Sequence, residues 1–178
     1  LVTDRKLSKS RPLEWVVEEA VRGGVSIVQL REKDCSSLEF YQIAVNHKKV
    51  LKPYRVPLLI NDRLDIALAC DAEGGHLGQK ELLFTVARTI LGKNKIIGVS
   101  VENIEQAEYM NKWNVDYIGV SPVFSTPTKT DTAEPLGLEG LRKIAEISEH
   151  PIVAIGGINK SNAADIIEAG ADSLSVVS

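Results

Sequence analysis

The sequence predicts a (β/α)8 barrel, the TIM-type α/β fold, in a single domain spanning residues 1–178. Three observations carry that expectation. Short apolar runs alternate with amphipathic stretches along the whole chain, the runs are apolar enough to be covered on both faces, and no linker or low-complexity tract interrupts them. A chain of 178 residues, 44% hydrophobic and 5% aromatic, buries one good core and is short for two ordinary domains. The alternative, a doubly wound open sheet, commonly has fewer strands and opens its first βα turn on a GxGxxG fingerprint that this sequence lacks.

In chain order, LVTD (Leu1–Asp4) reads as the end of a first strand, and Leu13, Val16, Val17, Ala20 and Val21 share one helical face that Gly23 and Gly24 terminate. Val25–Leu30 is a buried strand, followed by a helix over Ser36–Leu51. The unit recurs as strand Val56–Ile60, a short helix near Leu64–Ala69, a short strand near Gly74–Leu77, and a helix over Glu81–Leu91. Strand Lys95–Ser100, a helix from Ile104 to about Trp113, strand Val115–Ser121 and a helix over Leu138–Ile147 come next. Strand Pro151–Ile158, a helix over Ser161–Ala169 and strand Ser173–Ser178 complete eight strands with seven helices between them. The chain begins without Met inside one strand and stops inside another, so a barrel trimmed at its first strand and lacking its last helix is expected, shorter than the roughly 200 residues usual for the fold.

Charge and composition narrow the function. With 21 basic against 24 acidic residues the net charge is −3, and no block of like charge offers footing for nucleic acid or an anionic membrane. Cys35 and Cys70 form no CxxC pair and have no histidine at ligand spacing, which is the expectation for incidental thiols in a reducing cytosol. No apolar run approaches the ~18 residues of a membrane helix, and no charged-then-apolar pattern stands before the first strand in the residues given, so a soluble protein is expected. A cytoplasmic protein acting on small molecules is expected; a homo-oligomer is compatible with the sequence but not specified by it.

In a barrel of this kind the chemistry gathers at the C-terminal ends of the strands. After the second predicted strand comes QLREK, in which Gln29, Arg31 and Lys33 alternate at period two and share one side. Asn61 and Asp62 follow the third strand, Gln79 and Glu81 the fourth, and Ser100 closes the fifth. The sixth leads into FSTPTKTD (Phe124–Asp131), the seventh into Gly156-Gly157, and the eighth ends at Val177-Ser178. Each has an ordinary alternative: a solvated strand end for Arg31 or Lys33, a helix cap for Asp62, a dipole complement for Glu81, a turn for the diglycine, a core position for His76. Together the cations, hydroxyls and backbone N–H groups suit a ligand with several phosphate oxygens. Two carboxylates among them suit a hard divalent ion such as Mg²⁺, which takes one or two carboxylates and completes its shell with water and phosphate. In FSTPTKTD the hydroxyls of Thr126 and Thr128 and the charge of Lys129 read as an anion-binding lid.

The segments QLREK, LLINDRLDIALA, GGHLGQ, IGVS, DYIGVSPVFSTPTKTD, IVAIGGI and VVS resemble, in order and spacing, the thiamine-phosphate synthase (thiamine-phosphate pyrophosphorylase) family over essentially the whole chain. GGI after a strand is common in phosphate-binding barrels; QLREK followed by ND and then TxTKxD is distinctive. The resemblance implies a transferase of thiamine biosynthesis that couples hydroxymethylpyrimidine diphosphate to a thiazole phosphate, plain or carboxylated, and releases pyrophosphate. It implies that Gln29, Arg31, Lys33, Asn61, Ser100 and Lys129 contact the pyrimidine diphosphate, with Arg31, Lys33, Lys129 and Ser100 catalytic. It further implies Mg²⁺ on Asp62 and Glu81, and a thiazole phosphate held by Thr126, Thr128, Gly157, Val177 and Ser178. The family reaction is dissociative, through a pyrimidine-methyl cation, so the lack of a Ser-His-Asp or Cys-His arrangement is expected.

This chain departs from the pattern in two places. GQKE replaces GQxD, so Glu81, longer by one methylene, stands where the second metal carboxylate belongs, and Gly75 replaces a branched apolar residue, which predicts a slightly loosened strand. Two rival functions are a thiazole tautomerase relative and a noncatalytic phosphate-ligand sensor. The first carries a histidine after the fifth strand, where this chain has Glu102, and tends to lose the TxTKxD loop kept here.

Overall fold

The structure, a computed structural model, describes residues 1–126 and 134–177. Its elements alternate strictly. They run α1 (Leu13–Arg22), β1 (Val28–Leu30), α2 (Ser37–Leu51), β2 (Leu58–Asn61), α3 (Leu64–Ala69), β3 (Gly74–Leu77) and α4 (Phe84–Leu91). Then come β4 (Ile96–Val101), α5 (Ile104–Met110), β5 (Tyr117–Val120), α6 (Gly137–Ile147), β6 (Ile152–Ile155), α7 (Ala163–Glu168) and β7 (Ser173–Ser175). The first predicted strand survives as one parallel bridge from Val2 to Gln29.

The described residues fall into two compact units. One comprises Leu1–His76 with Thr89–Ile96 and Val177; the other comprises Leu77–Arg88 with Ile97–Val176. In each, strand order follows chain order and the strands pair in parallel. That is the topology of the trimmed (β/α) barrel; a doubly wound sheet reverses its order at a switch point.

The first unit is built on β2, whose Leu58, Leu59 and Ile60 are all fully buried, as a strand covered on both faces requires. Against it α2 turns Phe40, Ala44, His47 and Leu51 inward at helical spacing. Its start is set by Ser36, whose Oγ accepts the Glu39 N–H at 3.2 Å. The predicted strand at Val25 begins three residues later because the Val25 N–H closes the end of α1 on the Ala20 carbonyl. Leu64 fills the space that a side chain at Gly75 would take.

The second unit buries Ile97, Val99, Ile118, Val120 and Ala154 on its strands and Met110, Leu141 and Ile144 on its helices. Helix α4 starts at Phe84, not Glu81, because Gln79 and Glu81 both turn back toward strand ends. Helix α5 ends at Met110, where i→i+3 bonds at Lys112 and Trp113 tighten the chain and bring Trp113 edge-on to Tyr109 and Phe84. Among the described residues no helix is long and apolar enough to cross a membrane.

One device recurs at the N-terminal ends of the strands. Asp172 donates its backbone N–H to the Ile152 carbonyl at 3.0 Å and accepts the Ile152 N–H on Oδ2 at 2.7 Å. Asp116 clasps Ile97 in the same way at 2.8 and 2.7 Å, and Glu73 clasps Leu58 at 2.9 and 2.8 Å. The acid standing just before one strand thus satisfies an N–H of the first or second residue of the strand before it. Asp172→Ala is expected to lose about 1–3 kcal/mol of stability in urea unfolding, the cost of an orphaned N–H. Asp172→Asn, which keeps an acceptor, is expected to lose less, and neither change should alter substrate KM values.

Candidate active site

In the first unit the polar residues predicted from QLREK and ND stand at the C-terminal edge of β1 and β2. Gln29 lies between buried Val28 and Leu30, so its side chain takes the opposite side of the strand. Segment Leu1–Thr3 runs alongside, with Gln29 donating to the Leu1 carbonyl at 2.8 Å and Thr3 donating to the Gln29 carbonyl at 2.9 Å. The register continues outward: Arg31 N–H donates to Thr3 Oγ1 at 3.0 Å, and the Arg31 guanidinium faces Asp4 at 3.8 Å. Lys33, three residues beyond the end of β1 and in a bend, is exposed. Sequence reasoning passed over Thr3, Asp4, Arg5 and Glu32; the TD that follows the first apolar run was the available signal.

Asn61 ends β2 in register with His76, and Asp62 comes immediately after it. Asp62 holds φ at +61° while its N–H donates to the His76 carbonyl at 2.9 Å. A left-handed backbone at a non-glycine residue costs about 1 kcal/mol or more and concentrates at functional positions. The cap position of α3 falls on the next residue, Arg63, whose side chain makes no cap. Arg63 itself is held bidentately by Asp65, at 2.9 and 2.6 Å.

In the second unit Gln79 donates to the Ser100 carbonyl, tying the turn after β3 to β4. Glu81 is exposed and lies outside α4, so it does not complement that helix's dipole; its carboxylate folds over Gly78 at the end of β3, where a Cβ would collide with it. The chain leaving β5 passes directly over the diglycine: Val123 donates to the Ile155 carbonyl at 3.0 Å and Phe124 to the Gly156 carbonyl at 3.1 Å. A Cβ at Gly156 would stand 2.8 Å from Pro122, and one at Gly157 would stand 2.7 Å from Phe124 and 2.8 Å from the Ser125 carbonyl. Both glycines have positive φ, and their smallness fixes where the FSTPTKTD segment departs. The Gly157 carbonyl accepts from Asn162 Nδ2 at 3.0 Å. Thr126 closes the described part of that segment; Thr128, Lys129 and Ser178 lie outside the described residues.

The chain matches the model of the thiamine monophosphate synthase family (TMP-TENI) over residues 1–178. It is 54% identical over 182 residues to the thiamine-phosphate synthase of Leptospira biflexa serovar Patoc, covering 100% of this chain and 87% of that protein. It is 55% identical over 178 residues to the thiamine-phosphate synthase of Syntrophomonas wolfei, covering 100% and 85%. Among solved structures it is similar to the thiamine phosphate pyrophosphorylase of Pyrococcus furiosus, with a TM-score of 0.89, 39% identity and coverage of 99% and 83%. A Clostridium perfringens N-acetylmannosamine-6-phosphate 2-epimerase, at a TM-score of 0.70, 14% identity and coverage of 99% and 84%, shares the fold alone.

The buried histidines are held neutral. Burial lowers the His76 imidazole from its ordinary 6.5 to about 4, and His47, whose Nδ1 lies 2.8 Å from the Ile43 carbonyl, is lowered for the same reason. The unfolded chain therefore binds protons at pH values where the folded chain does not, so stability is complete above pH 6.5 and falls as pH drops toward 4. By pH 5 the His76 contribution amounts to a loss of about 2 kcal/mol. Urea unfolding at pH 7.5 and pH 5 is expected to show that loss, and His76→Gln should remove most of it.

Proposed function

Because the chain belongs to the thiamine monophosphate synthase family, we propose that it joins 4-amino-5-hydroxymethyl-2-methylpyrimidine diphosphate to a thiazole phosphate and releases pyrophosphate, giving thiamine phosphate. The observation that carries this reading is the family match over residues 1–178. Supporting it, Gln29, Arg31, Asn61 and Asp62 stand at strand ends where a barrel enzyme keeps its chemistry, and Lys33 and Glu81 lie in the segments that follow.

Gln29, Arg31, Lys33, Asn61, Ser100 and Lys129 are assigned to the pyrimidine diphosphate. Arg31 and Lys33 meet its phosphate oxygens, the guanidinium as a planar fork and the ammonium as a point charge. As the C–O bond breaks, negative charge builds on the departing pyrophosphate. Arg31, Lys33 and Lys129 stabilise that charge more strongly than the ground state, and this difference accelerates the step. The pyrimidine-methyl cation is stabilised by the ring's own amino group, and the thiazole nitrogen attacks it. Thr126, Thr128 and the backbone of Gly157, Val177 and Ser178 hold the thiazole phosphate so that this attack is in place before the cation forms. The Gly157 N–H has no partner among the described residues, which leaves it for a phosphate oxygen.

The donor set suits Mg²⁺. Among the described residues no group of three or more His, Cys, Asp or Glu could cage a metal, whereas Mg²⁺ needs only one or two carboxylates with water and substrate oxygens. Asp62 and Glu81, both oxygen donors, are the residues proposed to hold it. When bound, the ion neutralises charge on the pyrophosphate leaving group. Glu81 reaches by a longer arm than Asp, so Glu81→Asp is expected to retain activity with an altered Mg²⁺ requirement.

Incubation of both substrates with the protein is expected to release pyrophosphate and thiamine phosphate in equal amounts, and only with Mg²⁺. Lys129→Ala should lower kcat/KM by about 100-fold or more. Tight binding of both substrates without product, in the parent and in Glu81→Asp alike, would show a ligand sensor instead.

A further inference from the structure

We infer that Asp4, Arg5 and Glu32 are positioning residues that aim Arg31 and Lys33 at the diphosphate, through two ion pairs crossed in sign. The inference rests on the assignment of Arg31 and Lys33 to that substrate. Its basis is the register of Leu1–Thr3 on β1, which sets neighbouring residues of one segment against neighbouring residues of the other. Asp4 faces Arg31 at 3.8 Å, and Arg5 meets Glu32 at 3.0 Å. Negative faces positive at one position and positive faces negative at the next, so a slip of one residue would set like charges together. The pairing therefore fixes register as well as distance.

Each half does a different task. Asp4 is itself held: Oδ1 accepts the N–H groups of Lys6 at 2.9 Å and Leu7 at 3.1 Å, which leaves Oδ2 directed at Arg31. At 3.8 Å that contact orients the guanidinium by charge without a hydrogen bond, so the Arg31 N–H fork is still available to phosphate oxygens. The Glu32 side chain is only 6% exposed, and its Oε1 is buried with no hydrogen-bond partner among the described residues. Arg5 bridges Glu32 to Glu39 of α2, the latter at 2.9 Å, so the segment between Arg31 and Lys33 is anchored to the first turn of that helix. A buried carboxylate with one oxygen unpaired is poor for stability, and an apolar residue of similar volume would serve packing as well or better. A charge kept at that position is explained by placement of its neighbours.

The test is steady-state kinetics on the whole protein with each substrate varied in turn. Arg31→Ala is the reference and is expected to raise KM for the pyrimidine diphosphate. Asp4→Asn and Glu32→Gln are expected to raise the same KM by about tenfold, leaving KM for the thiazole phosphate unchanged. Adding Asp4→Asn to Arg31→Ala should cost nothing further, because the residue being aimed is gone. Arg5→Lys, which keeps the charge on Glu32 and loses the fork, should fall between the parent and Arg5→Ala. If Glu32→Gln does not fold, Asp4→Asn with its double variant carries the test alone. An unchanged KM in Arg31→Ala overturns the assignment of Arg31 and the inference with it. A raised KM in Arg31→Ala beside unchanged values in Asp4→Asn and Arg5→Lys, or equal rises for both substrates, overturns the positioning alone.

Discussion

A short parallel strand buried on both faces has nowhere to send a backbone N–H or C=O that its neighbour does not reach, and no water to take its place. The strands here are three to six residues long, so their ends carry a large share of that difficulty. At the N-terminal ends of β2, β4 and β6 an acid answers it by exchanging two hydrogen bonds with the first or second residue of the strand, as Glu73 does for Leu58, Asp116 for Ile97 and Asp172 for Ile152. Asp116 also receives Arg88 at 2.7 Å, so the same carboxylate ties the helix before β4 to the strand ladder.

With the N-terminal ends of β2, β4 and β6 closed in this way, the proposed chemistry lies at the other ends of the strands. The C-terminal edges carry the features that folding alone does not favour: Asp62 in a left-handed conformation, Gly156 and Gly157 with the chain from β5 lying on their bare backbone, and a guanidinium at Arg31 that stands 3.8 Å from Asp4 with no side-chain hydrogen bond among the described residues. Acids at one edge thus complete the backbone ladder, while the acid and cations at the other are the groups proposed to meet the substrates.

The titratable groups fit a reaction that asks for no proton shuttle. His76 sits beside the site residues in register with Asn61, yet burial keeps it neutral, and its carbonyl is what holds the strained backbone of Asp62. In the proposed dissociative coupling the work falls to charge and position, for which the cations on strand ends and the close backbone approach are the proposed sources. A neutral histidine in that place supports geometry without adding a proton equilibrium near neutral pH.

Alternation of apolar runs and amphipathic stretches determined the fold class, because the periods of strand and helix are written into residue order and need no partner to be read. The residues QLREK, ND, GGI and the threonine-rich segment were legible for a related reason: polar groups that follow buried strands stand out against their surroundings. Element ends were less legible. Val25 could belong to a strand or close a helix, and Glu81 could open a helix or fold back over Gly78; such choices depend on hydrogen-bond partners distant in sequence. The tertiary structure alone decided that Asp4 and Arg5 face Arg31 and Glu32 across 27 residues of chain, and that a carboxylate such as Asp172 clasps Ile152 rather than entering a site. Register between strands is set by packing and backbone pairing in three dimensions, and no local pattern encodes it.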